Sequence, residues 1–181
     1  MDEIPFDELN KMEPETFIDY LTPILQGERW LPERVVDNRP FGSVRMLHKA
    51  LFNEVMDAGD RKRCDLIIAH DGVLPQEGDA PPVPATEEAE EIPSQSWPSL
   101  RSQYRGNFGF DFVLARPPED EAKLLGALLA RMNNTEKDER LLALREISEM
   151  TFERLEDAFR VAEPDTQHAE QAGDTENDEE S

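Results

Sequence analysis

A chain of 181 residues can bury one hydrophobic core without covalent staples, and its single cysteine, Cys64, has no partner for a disulfide. Against 41 acidic residues stand 19 basic ones, a formal charge of -22 that sets the surface against nucleic acid and anionic membrane. No apolar run is long enough to span a bilayer, the first residues are acidic where a signal peptide is basic, and the last carry no peroxisomal address, so a reducing cytoplasm is expected.

Pro14 opens a helical pattern in which Phe17, Leu21, Ile24 and Leu25 share a face until Gly27 stops it. A short piece follows over 30–36. Ser43 then precedes a four-turn apolar face of Val44, Leu47, Leu51, Val55 and Ala58, which Gly59 ends. His48 adjoins that face and reads as a core or edge histidine, while Cys64 reads as a small core residue. Residues 61–69 form another short helix with His70 at its end. From 71 to 98 six prolines and a cluster of glutamates break every long pattern, which makes 75–98 a flexible loop or lid. A helix over 100–105 is closed by Gly106, and 108–115 is an extended segment or a turn. Two long helices complete the body: 119–132, with Leu124, Leu125, Leu128 and Leu129 inward, and 136–160, capped by Thr135 with Asp138 three residues on.

The expected fold is all-α, a single helical domain over 1–161, followed by a disordered acidic tail over 162–181. From Glu163 onward the tail holds eight acids and no Lys or Arg, and setting those aside still leaves a charge of -14 on the body. Arginine outnumbers lysine 14 to 5. An acid excess that persists in the body favours a protein of high-salt cytoplasm, where carboxylates hold hydration and repulsion is screened, over an ordinary protein with an acidic docking tail.

Two side chains stand out chemically. His70 closes the apolar run Leu66-Ile67-Ile68-Ala69 at a helix end, where an imidazole faces a cleft and exchanges protons near neutral pH. Arg154 lies seven residues after Ile147, about 20° from it around a helix, so a cation sits on an apolar face. Its anion is either a fixed glutamate or a bound substrate carboxylate, unless the stem snorkels to the edge. No metal-ligand cluster, phosphate-cradling glycine loop or nucleophile elbow is present in the sequence, so no metal and no cofactor are expected.

Trp30, Arg39-Pro40-Phe41-Gly42-Ser43, Ala69-His70, Tyr104, Phe108-Gly109-Phe110-Asp111-Phe112-Val113, Arg131-Met132-Asn133-Asn134, Glu139, Ala143-Leu144 and Glu153-Arg154-Leu155, in that order, resemble the ureidoimidazoline decarboxylase family of uric acid degradation. The resemblance covers roughly residues 6–160 apart from the proline-rich loop. It implies an all-helical, commonly dimeric enzyme free of cofactor that converts 2-oxo-4-hydroxy-4-carboxy-5-ureidoimidazoline to (S)-allantoin and carbon dioxide. The family's catalytic histidine falls on His70, its substrate-binding arginine on Arg154, and its substrate-contacting segment on Phe112, Val113, Leu114 and Ala115. The resemblance thus implies His70 as general acid or base, Arg154 on a carboxylate or ureido oxygen, and backbone amides of 112–115 on ring carbonyls.

The chain departs from the family in three places. Asp71 stands for the usual proline after the histidine, and Asp111 for a second proline inside the aromatic signature. The stretch that supplies a catalytic glutamate and a hydroxyl is replaced by Thr86-Glu87-Glu88-Ala89-Glu90-Glu91, where Glu91 is the candidate carboxylate and Glu87, Glu88 and Glu90 are its rivals. A divergent, non-catalytic relative that binds a ligand or a protein is the alternative reading.

Overall fold

Eight α-helices form among the residues this computed structural model describes, 4–70 and 97–160. Helix α1 (Phe6–Lys11) is absent from the sequence expectation. It is under two turns long with only Leu9 buried, too short to show a period. Helix α2 (Pro14–Ile24) begins on Pro14, whose missing N–H is no loss in the first turn, and buries Phe17, Ile18, Leu21 and Ile24. Helix α3 (Trp30–Val35) follows, with a 3-10 turn over Val36–Asn38.

The Arg39-Pro40-Phe41 signature ties these pieces together. Arg39 donates to the carbonyls of Val36 (2.7 Å) and Met12 (2.5 Å) and lies over the Phe17 ring. Asn10 and the Phe41 backbone exchange two hydrogen bonds of 2.9 and 2.8 Å, so part of the family signature is scaffold.

Helix α4 (Val44–Asp57) is capped by Ser43 Oγ, which accepts from the Met46 amide, and turns Leu47, Leu51 and Val55 inward. Helix α5 (Asp60–Ala69) buries Leu66 and Ile67, while Cys64 is half-buried. Helix α6 (Trp97–Phe108) overruns the expected 100–105 at both ends. Pro98 lies in its first turn, where proline is tolerated, so the loop ends earlier than 98. Gly106 sits inside the helix, and the chain turns instead at Gly109, whose φ of +79° suits glycine.

Helix α7 (Glu121–Arg131) is capped by Asp120. Leu124 and Leu128 are buried as expected, but Leu125 is only half-buried and Leu129 is 36 % exposed. The expectation that all four face inward fails because α7 has one main helical neighbour, α6, and a stripe at i, i+4 spacing covers that contact. Helix α8 (Glu136–Ala158) is the spine of the domain, packed against α2, α4, α5 and α6. Thr135 caps it as expected. The rest of the expected loop, 75–96, and the tail, 162–181, lie outside the described residues.

Candidate active site

The fold brings the C-terminal ends of α2 and α5 against the last turns of α8. At the end of α5, His70 leaves helical geometry, and its ring folds back so that Nδ1 is 2.8 Å from the Leu66 carbonyl. That bond places the proton on Nδ1 and leaves Nε2 as the reactive nitrogen. The side chain is 3 % exposed, and burial is the main force holding its pKa below the ordinary histidine range. The bond to Leu66 opposes that shift, and the Arg154 charge adds to it.

Arg154 is half-buried, with Met150 and Leu155 buried nearby on α8. Among the described residues no carboxylate pairs with it, and burial alone lowers its pKa. Among the described residues it is a glutamine, not a glutamate, that meets this arginine.

Gln26 stands at the end of α2 with φ +56°. The Gly27 amide bonds to the Thr22 carbonyl (2.8 Å) and the Gln26 amide to that of Pro23 (3.2 Å), a Schellman closure with glutamine in the left-handed position that glycine usually fills. In the amide orientation that satisfies its neighbours, the Gln26 side-chain nitrogen donates to His70 Nε2 (2.8 Å). Its oxygen accepts from Arg154 Nη2 (2.7 Å) and Nη1 (3.1 Å). His70 and Arg154, chosen from the sequence for separate reasons, are thus held on one amide. Gln26 was not a sequence candidate; the only local signal is Leu25-Gln26-Gly27, a helix end whose glycine comes one residue late.

Inside the bundle, a hollow of about 30 Å³ touches His70 and is lined mainly by Leu51, Val55, Leu66, Leu144 and Ile147. His48 borders it, half-buried, with Nε2 2.9 Å from the Ser148 carbonyl and 3.0 Å from its hydroxyl, and packs on Phe52 and Phe152. It is the edge histidine expected from the pattern, and burial lowers its pKa as well.

The other predicted residues lie apart. Phe112 and Val113 are buried, Leu114 and Ala115 half-buried. The Phe112 amide donates to Asp111 Oδ1 (2.9 Å) and the Ala115 amide to Glu146 Oε2 (2.8 Å), so two of the four candidate amides already have carboxylate partners. Eight residues of α8, about 12 Å along its axis, separate Glu146 from Arg154. Among the described residues no hydrogen bond or ion pair joins 112–115 to His70 or Arg154. Glu91 and its rivals Glu87, Glu88 and Glu90 lie outside the described residues.

Two buried carboxylates that sequence reasoning left without a role hold 112–115 in place. Asp111, 0 % exposed, takes two bonds from Arg101 Nε (2.8 and 2.7 Å) and a further contact from Arg105. Glu139, also 0 % exposed, accepts from Tyr104, from Arg131 Nε (2.6 Å) and from Asn134 (2.7 Å). Burial raises the Tyr104 pKa, and the bond to Glu139 adds to the rise. Arg131 also donates to the Val113 carbonyl (2.8 Å) and lies over the Phe112 ring. Among the described residues no group of three or more His, Cys, Asp or Glu side chains is placed to hold a metal, and no helix is long and apolar enough to cross a membrane.

Comparison with known proteins matches residues 10–156 to the family profile described as OHCU decarboxylase. A 2-oxo-4-hydroxy-4-carboxy-5-ureidoimidazoline decarboxylase of Haloferax volcanii is 30 % identical over 169 residues, 88 % of this chain and 98 % of that one. The protein of the same name from Halalkalicoccus jeotgali is 26 % identical over 167 residues, 87 % of this chain and 93 % of that one. Among solved structures, an (S)-allantoin synthase aligns with a TM-score of 0.67 at 21 % identity, covering 86 % of this chain and 54 % of that one. At that identity the likeness carries the fold, and the chain spans about half the length of that protein.

Proposed function

The chain belongs to the OHCU decarboxylase family, and we propose from that membership that it decarboxylates 2-oxo-4-hydroxy-4-carboxy-5-ureidoimidazoline to (S)-allantoin in urate degradation. The observation that carries the site is the convergence on one amide of a buried His70 and an arginine that has no carboxylate partner among the described residues.

The substrate's chemistry fits what these two groups supply. When its C–CO2 bond breaks, the electron pair passes to the nitrogen of the ring imine, so the substrate is its own electron sink. Carbon dioxide leaves, the ring nitrogen takes up a proton, and the enol that remains gives up its hydroxyl proton to become the ring carbonyl as a proton reaches the ring carbon that bears the ureido group; the face it reaches sets the S configuration. His70, with Nδ1 committed to Leu66, offers only Nε2 for that proton traffic, and a position fixed by burial makes one face the target. Arg154 presents forked donors whose charge no carboxylate among the described residues neutralises, fit for a carboxylate or carbonyl oxygen of the substrate. Glu91 is the proposed catalytic carboxylate, with Glu87, Glu88 and Glu90 as alternatives. The amides of 112–115 are proposed to meet the ring carbonyls, which falls to Val113 and Leu114 while Asp111 and Glu146 hold the other two.

The reading extends to a homodimer working in a salt-rich cytoplasm without cofactor. The charge of -22 and the two haloarchaeal relatives support the salt adaptation. The test is the appearance of optical activity as allantoin when substrate, made freshly from urate with urate oxidase and a hydrolase, meets this protein in molar KCl, with His70→Ala beside it. Formation of (S)-allantoin faster than the spontaneous reaction, and lost in the variant, is expected. No acceleration by a folded protein would refute the activity.

A further inference from the structure

Gln26 occupies the reactive atoms of both site residues. His70 Nδ1 is committed to the Leu66 carbonyl, so Nε2 is the only nitrogen left for proton transfer, and that nitrogen accepts from the Gln26 amide. Both terminal nitrogens of Arg154 meet the Gln26 oxygen. With the side chain in place, His70 has no lone pair free and one N–H of each terminal nitrogen of Arg154 is taken. A residue that only positioned the pair would leave one of those atoms open.

The backbone makes the same point independently. Residue 26 holds a left-handed φ at a Schellman closure, where any side chain is disfavoured relative to glycine. Strain retained at such a position points to a use for the side chain. Gln26 is also exposed, so hydrogen bonds rather than packing keep it over the pair, and a competing ligand can displace it.

We infer that Gln26 is a displaceable internal mimic of the substrate: its amide caps His70 and Arg154, and a ureide of the substrate replaces it with its carbonyl on Arg154, which frees His70 Nε2 for proton transfer. The amide presents a carbonyl oxygen to the guanidinium, and a ureido group or a ring lactam carries the same carbonyl. This inference rests on the decarboxylase reading and sharpens it. Of the two oxygens proposed for Arg154, it selects the carbonyl of a ureide over the carboxylate. The carboxylate is thereby left free to leave, and Arg154 is set on an oxygen whose charge grows as the electron pair enters the ring.

Gln26→Gly removes the cap and suits the backbone, since glycine adopts a positive φ freely. Because apparent affinity is reduced by the fraction of sites that are capped, the variant is expected to lower KM about three- to tenfold. Carbethoxylation of His70 by diethylpyrocarbonate, followed by mass spectrometry of its peptide, should accelerate by a similar factor. Gln26→Glu gives the cap a charge that binds Arg154 more tightly, so KM should rise. An unchanged or slower modification of His70 in Gln26→Gly, or a raised KM there, would overturn the cap and make Gln26 a positioning residue. If the wild-type protein fails to decarboxylate, the activity reading falls, while the modification rate still reports on the cap by itself.

Discussion

Arg131→Met tests whether the segment after the aromatic signature hangs on a buried charge. The change keeps most of the aliphatic stem and removes the guanidinium that donates to Glu139 Oε1 (2.6 Å) and to the Val113 carbonyl (2.8 Å). Glu139 is 0 % exposed and the Arg131 side chain 11 %, so water does not take over the lost contacts. Breaking one partner out of a buried pair costs about 3–5 kcal/mol, mostly because the remaining charge stays buried without compensation. Tyr104 and Asn134 still donate to the carboxylate, which argues for the lower half of that range, about 3–4 kcal/mol. For a domain of this size that lowers Tm by roughly 6–16 °C. Urea unfolding in molar KCl, followed by far-ultraviolet circular dichroism, measures the difference. Adding Glu139→Gln to the variant removes the orphaned charge while keeping an acceptor for Tyr104, and should restore about 1–2 kcal/mol. A loss below about 1 kcal/mol for Arg131→Met, or a double variant whose losses simply add, would refute the reasoning.

The remaining predictions concern charge, pH and packing. His48 and His70 are both held below the ordinary histidine pKa by burial, so the folded chain binds fewer protons than the unfolded one between their depressed values and about 6.5. Their contribution is therefore complete above about pH 6.5 and is lost as pH falls through that window; a urea midpoint that stays level from pH 7 to 5 would contradict it. Asp111→Ala, which removes the buried carboxylate that Arg101 and the Phe112 amide bond to, should destabilise by about 2–4 kcal/mol and speed amide exchange across 112–115, read by mass spectrometry. Leu128→Ala should cost about 2–5 kcal/mol and Leu129→Ala within about 0.5, as calorimetric melting will show. With a charge of -22, Tm should rise with KCl as repulsion is screened, and equal melting at 0.1 M and 2 M would oppose the salt-adapted reading.

The helices that carry the core were legible because their stripes are long. Leu47, Leu51 and Val55 repeat on α4, and a serine or threonine stands at the starts of α4 and α8, where backbone amides need an acceptor. What escaped was short or two-sided. Helix α1 buries one residue and shows no period. On α7 four leucines look equivalent in sequence, and only the number of neighbours decides that one pair is inside. Gly106 reads as a stop because glycine often is one, yet helix packing carries α6 past it to a glycine where a positive φ is needed.

The candidate site shows a sharper division. His70 and Arg154 each break a local pattern, a titratable ring ending an apolar run and a cation on an apolar stripe, so each could be suspected alone. Their partner breaks none: a glutamine at a helix end is unremarkable in sequence, and its meaning comes from 43 residues of intervening chain to His70 and a far longer stretch to Arg154. The same holds for Glu139, which reads as one more acid in the first turn of α8 until Tyr104, Arg131 and Asn134 close around it. Charges that oppose their surroundings are visible in a sequence because the conflict is local. Neutral donors and acceptors that resolve the conflict are invisible there, because satisfaction is a property of the fold. The residues a sequence reading leaves out of such a site are therefore of one kind, the polar groups whose bonds are all made, and Gln26 belongs to it with the added mark of a backbone angle that its side chain must repay.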